Sequence, residues 1–385
     1  MILKELFHFN DYLHKQILDG QTEINGLTFD SRFVRQGFIF FAFPGTNTDG
    51  HLFIADAVAR GASVIVYSDP NISFPAHWRV SWIRVDDVRK TMAQAAARFY
   101  EHPSREMRLF GVTGTNGKTS TCFFLRNILE ENGSACGLMT TPKNIIGPDI
   151  YEAINTTEES LQLQANLRMM LDKGIRQAVL EVSSHGLALG RVEGLFFDAA
   201  VFTNMVAEHL EFHKSFEHYF SSKKKLIEMV EQNNQKSYPR LAVINGDDEN
   251  CRKIAAGSHL PLLTFGLKPD NDVTALEIEY FIDRTKMIIK TPWGKEAAQL
   301  FLPGYHMVYN ALAAAATASY FGIAIEKIVQ ALQTTRHVPG RWEVVDAGQD
   351  FMVIVDFAHN WHGLENTLSF IKTVVPGKVI TVFGC

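Results

Sequence analysis

The segment Gly114–Thr119 has the composition of a turn that binds phosphate. It reads Gly-Thr-Asn-Gly-Lys-Thr, follows the apolar stretch Leu109–Thr113 and leads into a helical pattern at Thr119–Glu131. A glycine-rich turn between a strand and a helix directs backbone N–H groups and the helix N-terminus at anionic oxygens. The spacing predicts that the Lys118 ammonium meets the β- and γ-phosphates of a nucleotide and that the Thr119 hydroxyl ligates Mg²⁺.

The glycines of this turn are not all in their usual places. The common phosphate loop has a glycine five residues before Gly117, where this chain has Val112, and the preceding glycines here are Gly111 and Gly114. We therefore expect a variant of that loop. The alternative is a turn that merely connects a strand to a helix, which the Lys-Thr pair at the helix start disfavours.

Three further groups could take part in metal or phosphate chemistry. Glu181 lies at the end of the apolar stretch Ala178–Val182, where α/β proteins place ligand-contacting groups, and a carboxylate there suits Mg²⁺. A helix-capping or loop carboxylate is the competing interpretation. His209 belongs to a histidine-rich run and by itself would be a solvated surface residue. The run Lys223–Lys225 is predicted to begin a helix and, by itself, to form a solvated charged face.

The elements that must position these groups alternate between short apolar runs and amphipathic helices. This alternation is typical of parallel sheets in an α/β architecture. The predicted strands are Phe38–Phe43, Val64–Tyr67, Leu109–Thr113, Ala178–Val182, Ala199–Asn204 and Leu241–Asn245. The predicted helices, besides Thr119–Glu131, are Val88–Tyr100, Asn310–Tyr320 and Ile325–Gln333.

Turn-forming stretches near residues 105 and 336 predict three domains, at residues 1–105, 106–336 and 337–385. The length of 385 residues agrees with two or three domains of ~150 residues each. Beyond residue 336 there are 49 residues, with two predicted strands, Met352–Phe357 and Val379–Phe383, around one helix. Because fewer than ~50 residues rarely form an independent α/β domain, we expect this domain to be truncated.

Composition excludes several functional classes. Lys and Arg number 37 against 42 Asp and Glu, so the net charge of -5 offers no overall basic field for nucleic acid or anionic lipid. The 4 cysteines lack CxxC spacing, which argues against a zinc ribbon or a disulfide framework and for a reducing compartment. No stretch reaches the ~18 apolar residues of a membrane span, and the amino terminus lacks a signal-peptide pattern. The sequence therefore predicts a cytoplasmic protein.

The sequence Gly111-Val-Thr-Gly-Thr-Asn-Gly-Lys-Thr-Ser resembles the ATP loop of the Mur ligases, the ATP-dependent amide-forming enzymes of peptidoglycan precursor synthesis. Leu180-Glu-Val-Ser-Ser-His-Gly, Asn155-Thr-Thr, Asp30-Ser-Arg and Gly45-Thr-Asn-Thr-Asp-Gly-His resemble the MurE type, which adds the third amino acid to UDP-MurNAc-L-Ala-D-Glu. The resemblance runs from about residue 20 to the last residue. It implies an α/β protein with an N-terminal α/β UDP-binding domain, a central P-loop-type parallel-sheet ATPase domain and an incomplete C-terminal Rossmann-like domain.

The resemblance also implies roles for individual residues. The catalytic residues it implies are Lys118, Lys223 and His359. It implies two Mg²⁺ ions, with Thr119, Glu181, His209 and Lys223 as the metal ligands. ATP is implied to contact Gly114, Thr115, Asn116, Gly117, Lys118, Thr119, Ser120, Asn310, Arg341 and Asp356. The UDP-MurNAc-dipeptide is implied to contact Ser31, Thr46, Asn47, Thr48, Asn155, Thr156, Thr157, Ser183 and Arg191.

Lys223 matches a lysine that is carbamylated in Mur ligases, with Lys224 as the alternative. An unprotonated amine takes up CO₂ and becomes a carboxylate-like anion that can help hold Mg²⁺ beside phosphates. The chain also departs from the family pattern. Glu208 and Glu211 stand where aspartates are more common, Met307 replaces an asparagine, and Asn360-Trp-His replaces Thr-Pro-Asp after His359.

The resemblance implies a reaction in two steps. A substrate carboxylate attacks the γ-phosphate of ATP to give an acyl phosphate, and an incoming amine then displaces phosphate. The implied partners are the UDP-MurNAc-dipeptide and an amino acid, either lysine or meso-diaminopimelate, acted on by a monomer that binds no nucleic acid. The alternatives are a truncated or inactive paralogue that binds ATP and UDP-sugar without ligation, and a sibling ligase of the MurF or folylpolyglutamate synthetase type. A P-loop GTPase or kinase is disfavoured because the chain contains no NKxD motif.

Overall fold

The computed structural model describes residues 1–9, 12, 14–45 and 48–384. The chain forms two compact units. The first comprises Met1–Glu106, Glu158–Leu171 and Ala188–Leu195, and the second comprises Met107–Thr157, Asp172–Leu187 and Phe196–Cys385. Two segments from the middle of the sequence therefore fold with the first unit.

The strands and helices are numbered in chain order. The strands are β1 (Lys15–Gln16), β2 (Gly26–Thr28), β3 (Phe38–Ala42), β4 (Ala62–Tyr67), β5 (Ser81–Arg84), β6 (Arg108–Thr113), β7 (Gly137–Met139), β8 (Lys143–Ile146), β9 (Asp149–Glu152), β10 (Gln177–Glu181), β11 (Ala199–Phe202), β12 (Leu241–Asn245), β13 (Leu262–Gly266), β14 (Val273–Tyr280), β15 (Thr285–Thr291), β16 (Gly294–Leu300), β17 (Glu343–Val345) and β18 (Val353–Val355). The helices are α1 (Leu3–Leu6), α2 (Ile54–Ala59), α3 (Val88–Phe99), α4 (Lys118–Glu131), α5 (Ser160–Asp172), α6 (Ser184–Ala188), α7 (Leu210–His213), α8 (Phe216–Glu231), α9 (Glu249–Ala255), α10 (Tyr305–Tyr320), α11 (Ile325–Thr334) and α12 (Trp361–Val374).

A five-stranded sheet in the order β1-β5-β4-β3-β2 organises the first unit. Strands β2 to β5 run parallel, and β1 is antiparallel to β5 at the edge. Helix α3 begins at Val88 because Asp87 caps it, with its side chain accepting a hydrogen bond from the Lys90 backbone N–H. Its buried Met92 and Ala96 belong to the same apolar cluster as Ile39 of the sheet, so the helix covers one face of the sheet.

An eleven-stranded sheet in the order β16-β15-β14-β13-β12-β11-β6-β10-β7-β8-β9 organises the second unit. The seven strands from β14 to β7 are parallel, while β15 and β16 at one edge and β8 and β9 at the other are antiparallel. Parallel neighbours need long crossover connections, which α4, α8 and α9 supply. The predicted parallel α/β architecture is therefore confirmed.

The carboxyl ends of β6, β10 and β11 meet at one edge of this sheet. The register pairs Glu181 of β10 with Val112 of β6, and Phe202 of β11 with Thr113 of β6. The glycine turn after β6, Glu181 at the end of β10 and Thr203 just after β11 are therefore neighbours in space. Ligands bind at this kind of edge in open α/β sheets.

The core of the second unit includes part of the carboxyl-terminal segment. Trp342 and Phe370 are buried in the same apolar cluster as Phe110 of β6 and Leu312 of α10. The last two strands, β17 and β18, form a separate two-stranded antiparallel sheet. The carboxyl-terminal segment is therefore held to the rest of the second unit by the buried side chains of Trp342 and Phe370.

One predicted strand is wrong. Residues Val379–Phe383 form no strand, and Val382 and Phe383 are 92% and 70% exposed. A β-rich run becomes a strand only when a neighbouring backbone pairs with it, and in the described part of the chain none does. Separately, no helix among the described residues is long and apolar enough to cross a membrane.

Candidate active site

The turn between β6 and α4 approaches its neighbours too closely for any residue but glycine at two positions. Gly114 has φ +147°, and a Cβ there would lie 1.9 Å from Thr203 Oγ1. Gly117 has φ +87°, and a Cβ there would lie 2.2 Å from Asn310 Oδ1. Both glycines are therefore required by backbone conformation and by contact. The geometry therefore disfavours the alternative of a turn that merely connects a strand to a helix.

This loop is anchored to the end of β11 through its backbone. The Thr203 hydroxyl donates to the Asn116 carbonyl at 2.6 Å, and the Asn204 side-chain amide donates to the same carbonyl at 3.0 Å. The Asn116 N–H donates to Asn204 Oδ1 at 2.9 Å. Residues from a strand that is distant in sequence thus fix the conformation of the loop.

Gly117 offers a sharp test of this geometry. We expect Gly117→Ala to weaken ATP binding by about tenfold or more, because displacing a positioned group by ~1 Å costs up to ~10²-fold. Gly133→Ala is the matched control, since Gly133 has φ +82° but no neighbour within 4 Å of the added Cβ. Isothermal titration with ATP measures both. Equal affinities for the two variants would show that the contact with Asn310 is unimportant.

Lys118, Thr119 and Glu181 meet at the start of α4. The Lys118 ammonium donates to the Thr115 carbonyl at 2.9 Å and lies 3.9 Å from Glu181 Oε1. The Thr119 hydroxyl donates to Glu181 Oε2 at 2.9 Å. Burial raises the pKa of Glu181, and the Lys118 charge and the Thr119 hydrogen bond partly offset this effect. The predicted strand-end carboxylate is therefore in contact with the phosphate-loop residues.

These groups fit a magnesium ion. Mg²⁺ prefers oxygen ligands and binds through one or two carboxylates together with water and substrate phosphates. The Thr119 hydroxyl and the Glu181 carboxylate are two such oxygens side by side. The described residues contain no group of three or more His, Cys, Asp or Glu side chains that could hold a metal ion alone. Water and substrate phosphates would complete the coordination.

Lys223 lies in the middle of α8, not at the start of a helix as predicted. Its helix begins at Phe216, because Ser215 caps it by accepting a hydrogen bond from the His218 N–H. The Lys223 side chain is buried, whereas Lys225 on the same run is exposed. The prediction of a solvated charged face is therefore wrong for Lys223.

The Lys223 ammonium nitrogen reaches the phosphate loop. Nζ lies 2.7 Å from the Gly114 carbonyl and 3.2 Å from Thr113 Oγ1. Burial lowers the pKa of Lys223 well below its usual value, and the nearby charge of Lys118 lowers it further. Both effects shift this amine toward the neutral form, which is the nucleophilic form.

His209 stands between two carboxylates and a second histidine. Its ring nitrogens lie 3.6 Å from Glu208 Oε2 and 3.5 Å from Glu211 Oε1. Its ring centroid is 4.8 Å from that of His185. The side chain is 40% exposed, so it is accessible to a ligand at the edge of the sheet.

A cavity of about 240 Å³ opens beside the loop. Six of the residues predicted to contact ATP are brought together in its lining, namely Asn116, Gly117, Ser120, Asn310, Arg341 and Asp356. Burial lowers the pKa of Arg341, and the Asp356 charge partly offsets this effect. The guanidinium is thus a partly buried cation on the cavity wall.

The comparisons with known proteins agree over most of the chain. The family models for the Mur ligase middle domain, the Mur ligase family catalytic domain and the Mur ligase glutamate ligase domain match residues 112–318, 23–100 and 340–385. The first of these alone covers more than half of the 385 residues. The chain belongs to the Mur ligase family.

Its curated relatives are of the MurE type. A UDP-N-acetylmuramoyl-L-alanyl-D-glutamate–2,6-diaminopimelate ligase from Caldanaerobacter subterraneus subsp. tengcongensis is 39% identical over 94% of this chain and 73% of its own length. A ligase of the same name from Geobacillus kaustophilus is 39% identical over 95% of this chain and 74% of its own length. Among solved structures, one ligase of that name superposes with a TM-score of 0.80 at 26% identity, covering 100% of this chain and 77% of the other. A MurF ligase from Thermotoga maritima in complex with ADP has a TM-score of 0.66 at 21% identity over 91% of this chain and 75% of its own, which shows a shared fold.

In this Mur ligase, three predicted substrate residues lie close to Glu181. The Thr157 hydroxyl donates to the Glu181 carbonyl at 2.9 Å, and the Ser183 N–H donates to Thr157 Oγ1 at 2.9 Å. Thr156 accepts a hydrogen bond from the Thr141 hydroxyl at 2.9 Å, and Asn155 precedes it in the same loop. Two hydrogen-bonded pairs, Thr141 with Thr156 and Thr157 with Ser183, thus lie beside Glu181.

The other predicted substrate residues belong to the first unit. Ser31 is buried and hydrogen-bonds Asp56, and Thr48 is exposed. Arg191 lies 3.0 Å from Glu159, which also pairs with Arg89 at 2.9 Å. Thr46 and Asn47 lie outside the described residues. The roles assigned to all of these residues stay predictions.

The prediction missed Tyr219, which supports the loop from α8. Its hydroxyl lies 2.7 Å from Thr115 Oγ1, and Thr115 also accepts from the Val206 N–H at 2.9 Å. Tyr219 precedes Lys223 by four residues, so the two share one face of the helix. That spacing was a signal available in the sequence.

Proposed function

We propose that this Mur ligase forms an amide bond between UDP-MurNAc-L-Ala-D-Glu and an amino acid, at the expense of ATP. The observation that carries the proposal is the contact of Lys118, Thr119 and Glu181 at the helix end beside the 240 Å³ cavity. A triphosphate placed there lies against a helix N-terminus and a cation. The MurE-type names of the relatives supply the substrates.

Different side chains have different roles in the first step, the transfer of the phosphoryl group. Lys118 neutralises negative charge that develops on the phosphoryl group as the substrate carboxylate attacks it. Asn310 and Arg341 hold the nucleotide in the cavity, and the hydrogen bonds of the Asn116 backbone with Thr203 and Asn204 fix the conformation of the loop. Little reorganisation is then needed at the moment of reaction, because these donors are already in place.

Two magnesium ions are part of this proposal, with Thr119, Glu181, His209 and Lys223 as their protein ligands. When bound, Mg²⁺ supplies electrostatic stabilisation of the transferred phosphoryl group. Asp356 keeps the wall of the cavity in place, because its carboxylate accepts from the backbone N–H groups of Trp342 and Ala358, each at 3.0 Å. His359 is assigned a catalytic role by the family pattern alone.

We further propose that Lys223 carries a carbamate. Its neutral amine adds to the carbon of CO₂, which forms an N–C bond and releases a proton. We expect one carbamate carbonyl signal in ¹³C spectra recorded with labelled bicarbonate, lost in Lys223→Ala and kept in Lys224→Ala. Phosphate release should fall by at least about tenfold in Lys223→Ala only. A signal that survives Lys223→Ala would assign the carbamate elsewhere.

Phosphate release with and without UDP-MurNAc-L-Ala-D-Glu tests the function. We expect release that depends on this substrate and on an amino acid, with the tripeptide product seen by mass spectrometry. Diaminopimelate is tried first because the relatives are named for it, and lysine second. Binding of ATP without release would instead indicate the inactive paralogue, and the absence of any ATP affinity would refute both.

We place this reaction in the cytoplasm and assign it to a monomer. The three cysteines in the described part of the chain, Cys122, Cys136 and Cys251, are all free, which suits a reducing compartment. Size-exclusion chromatography with light scattering measures the oligomeric state directly.

A further inference from the structure

A set of hydrogen bonds joins the phosphate loop to the carboxyl-terminal segment. The Asn360 side-chain amide donates to Glu208 Oε1 at 2.7 Å and to Asn116 Oδ1 at 3.1 Å. The Asn116 amide donates back to Asn360 Oδ1 at 3.4 Å. Asn360 is 244 residues from Asn116 and 152 from Glu208 in sequence. We call these three residues the amide bridge.

Each residue of the amide bridge is held by its own surroundings. Asn116 is held through its backbone by Thr203 and Asn204 at the end of β11. Asn360 is the N-cap of α12, because its Oδ1 accepts the Gly363 N–H at 2.8 Å. The Glu208 side chain is only 17% exposed, so its carboxylate depends on protein donors. The bridge is therefore a link between two supported elements.

The bridge lies beside the nucleotide cavity. Asn116 and Gly117 line one side of it, and residues 356–358 with His362, Gly363, Asn366 and Thr367 line the other. The second side is made by the residues just before and just after Asn360. Fixing Asn360 therefore fixes the position of that wall relative to the phosphate loop.

We infer that Glu208 and Asn360 are positioning residues for the nucleotide, acting through Asn116. This inference rests on the proposed function, since it assigns ATP to the cavity. Two of the departures from the family pattern, Glu208 and Asn360, thus contribute to one contact. The glutamate at 208 reaches further than an aspartate by one methylene, and the amide at 360 supplies two donors where a threonine hydroxyl has one.

Asn360→Ser separates the bridge from the helix cap. Serine is as good an N-cap as asparagine, so α12 keeps its cap, but the hydroxyl is too short to reach Glu208 and Asn116. We expect the Kd for ATP to rise by about tenfold, the change that corresponds to one hydrogen bond to a charged group. The melting temperature should stay close to that of the wild-type chain.

Ser369→Gly is the matched control for general weakening of α12. Ser369 is exposed and does not line the cavity, and glycine destabilises a helix interior. We expect its affinity for ATP to be unchanged. If Ser369→Gly weakens ATP binding as much as Asn360→Ser does, the bridge is merely structural and the inference is wrong.

A double-mutant cycle completes the test. Glu208→Ala should weaken ATP binding less in the Asn360→Ser chain than in the wild-type chain, because both changes remove the contact between Glu208 and Asn360. The effect that remains in the Asn360→Ser chain reports the other contacts of Glu208, with His209 and His359. Glu208→Gln should restore most of the loss, since its amide oxygen can still accept from Asn360. Additive effects would contradict the inference. A wild-type chain without ATP affinity would instead contradict the proposed function.

Discussion

Replacing Lys118 by alanine should reduce substrate-dependent phosphate release by about 10³-fold. The ammonium lies at the helix end, 3.9 Å from Glu181 and hydrogen-bonded to the Thr115 carbonyl. It is the cation best placed to meet charge that develops on the transferred phosphoryl group. A preorganised donor of this kind stabilises the transition state more than the ground state, so the rate should fall further than the ATP affinity.

The Lys118→Ala variant should still fold. The Lys118 ammonium donates to carbonyls of the loop that follows β6 and lies near Glu181, and Glu181 keeps its hydrogen bond from Thr119. The loop is also held by Thr203 and Asn204. Lys327→Ala, at an exposed position of α11, is the control for loss of one positive charge. Phosphate release and melting temperature are measured for both variants. Release at the wild-type rate from Lys118→Ala would remove the main support for the proposed mechanism.

The largest expected effect on stability comes from a buried ion pair at the other end of the same strands. Lys236 Nζ lies 2.5 Å from Asp198 Oδ2, and the two side chains are 1% and 0% exposed. Lys236 also donates to the Met107 carbonyl at 2.7 Å, and Asp198 accepts the Leu109 N–H at 2.8 Å. The pair thus ties the start of β6 to the segments before β11 and β12.

We expect Asp198→Ala to lower the free energy of unfolding of the second unit by about 3–5 kcal/mol, since it leaves a buried ammonium without its counter-ion. Burial already lowers the pKa of Lys236, and the Asp198 charge opposes that effect. Removing the carboxylate therefore removes the group that favours the charged lysine. Urea or thermal unfolding followed by circular dichroism measures the loss.

The double variant Asp198→Leu with Lys236→Met is the informative comparison. Replacing both charges by apolar groups of similar size is often neutral or stabilising, whereas replacing one is costly. We expect the double variant to be more stable than Asp198→Ala. If Asp198→Ala unfolds at the wild-type denaturant concentration, the pair contributes little and the contacts of the surrounding strands suffice.

The phosphate loop was predictable because its signals are local. A strand, two glycines and Lys-Thr at a helix start are all contained in residues 109–119. Glu181 was predictable for a similar reason. It ends an apolar strand, and the carboxyl ends of parallel strands must share one edge of the sheet.

The pattern of the three consecutive lysines did not by itself show which of Lys223, Lys224 and Lys225 is buried. Successive residues of a helix are rotated by about 100°, so three consecutive lysines cannot all face the sheet against which α8 packs. The apolar positions Tyr219, Leu226, Ile227 and Val230 share the buried face with Lys223. Helical spacing from those residues would have placed Lys223 inside and Lys225 outside, as the structure does.

The sequence by itself determined the class of fold, the phosphate loop and the family, because each depends on patterns within a few turns or strands. Tertiary structure alone decided that Asn360 meets Glu208 and Asn116, and that Val379–Phe383 stays exposed and unpaired. Hydrogen bonds between residues 152 and 244 positions apart produce no periodic pattern in the sequence. A strand forms only where another backbone pairs with it.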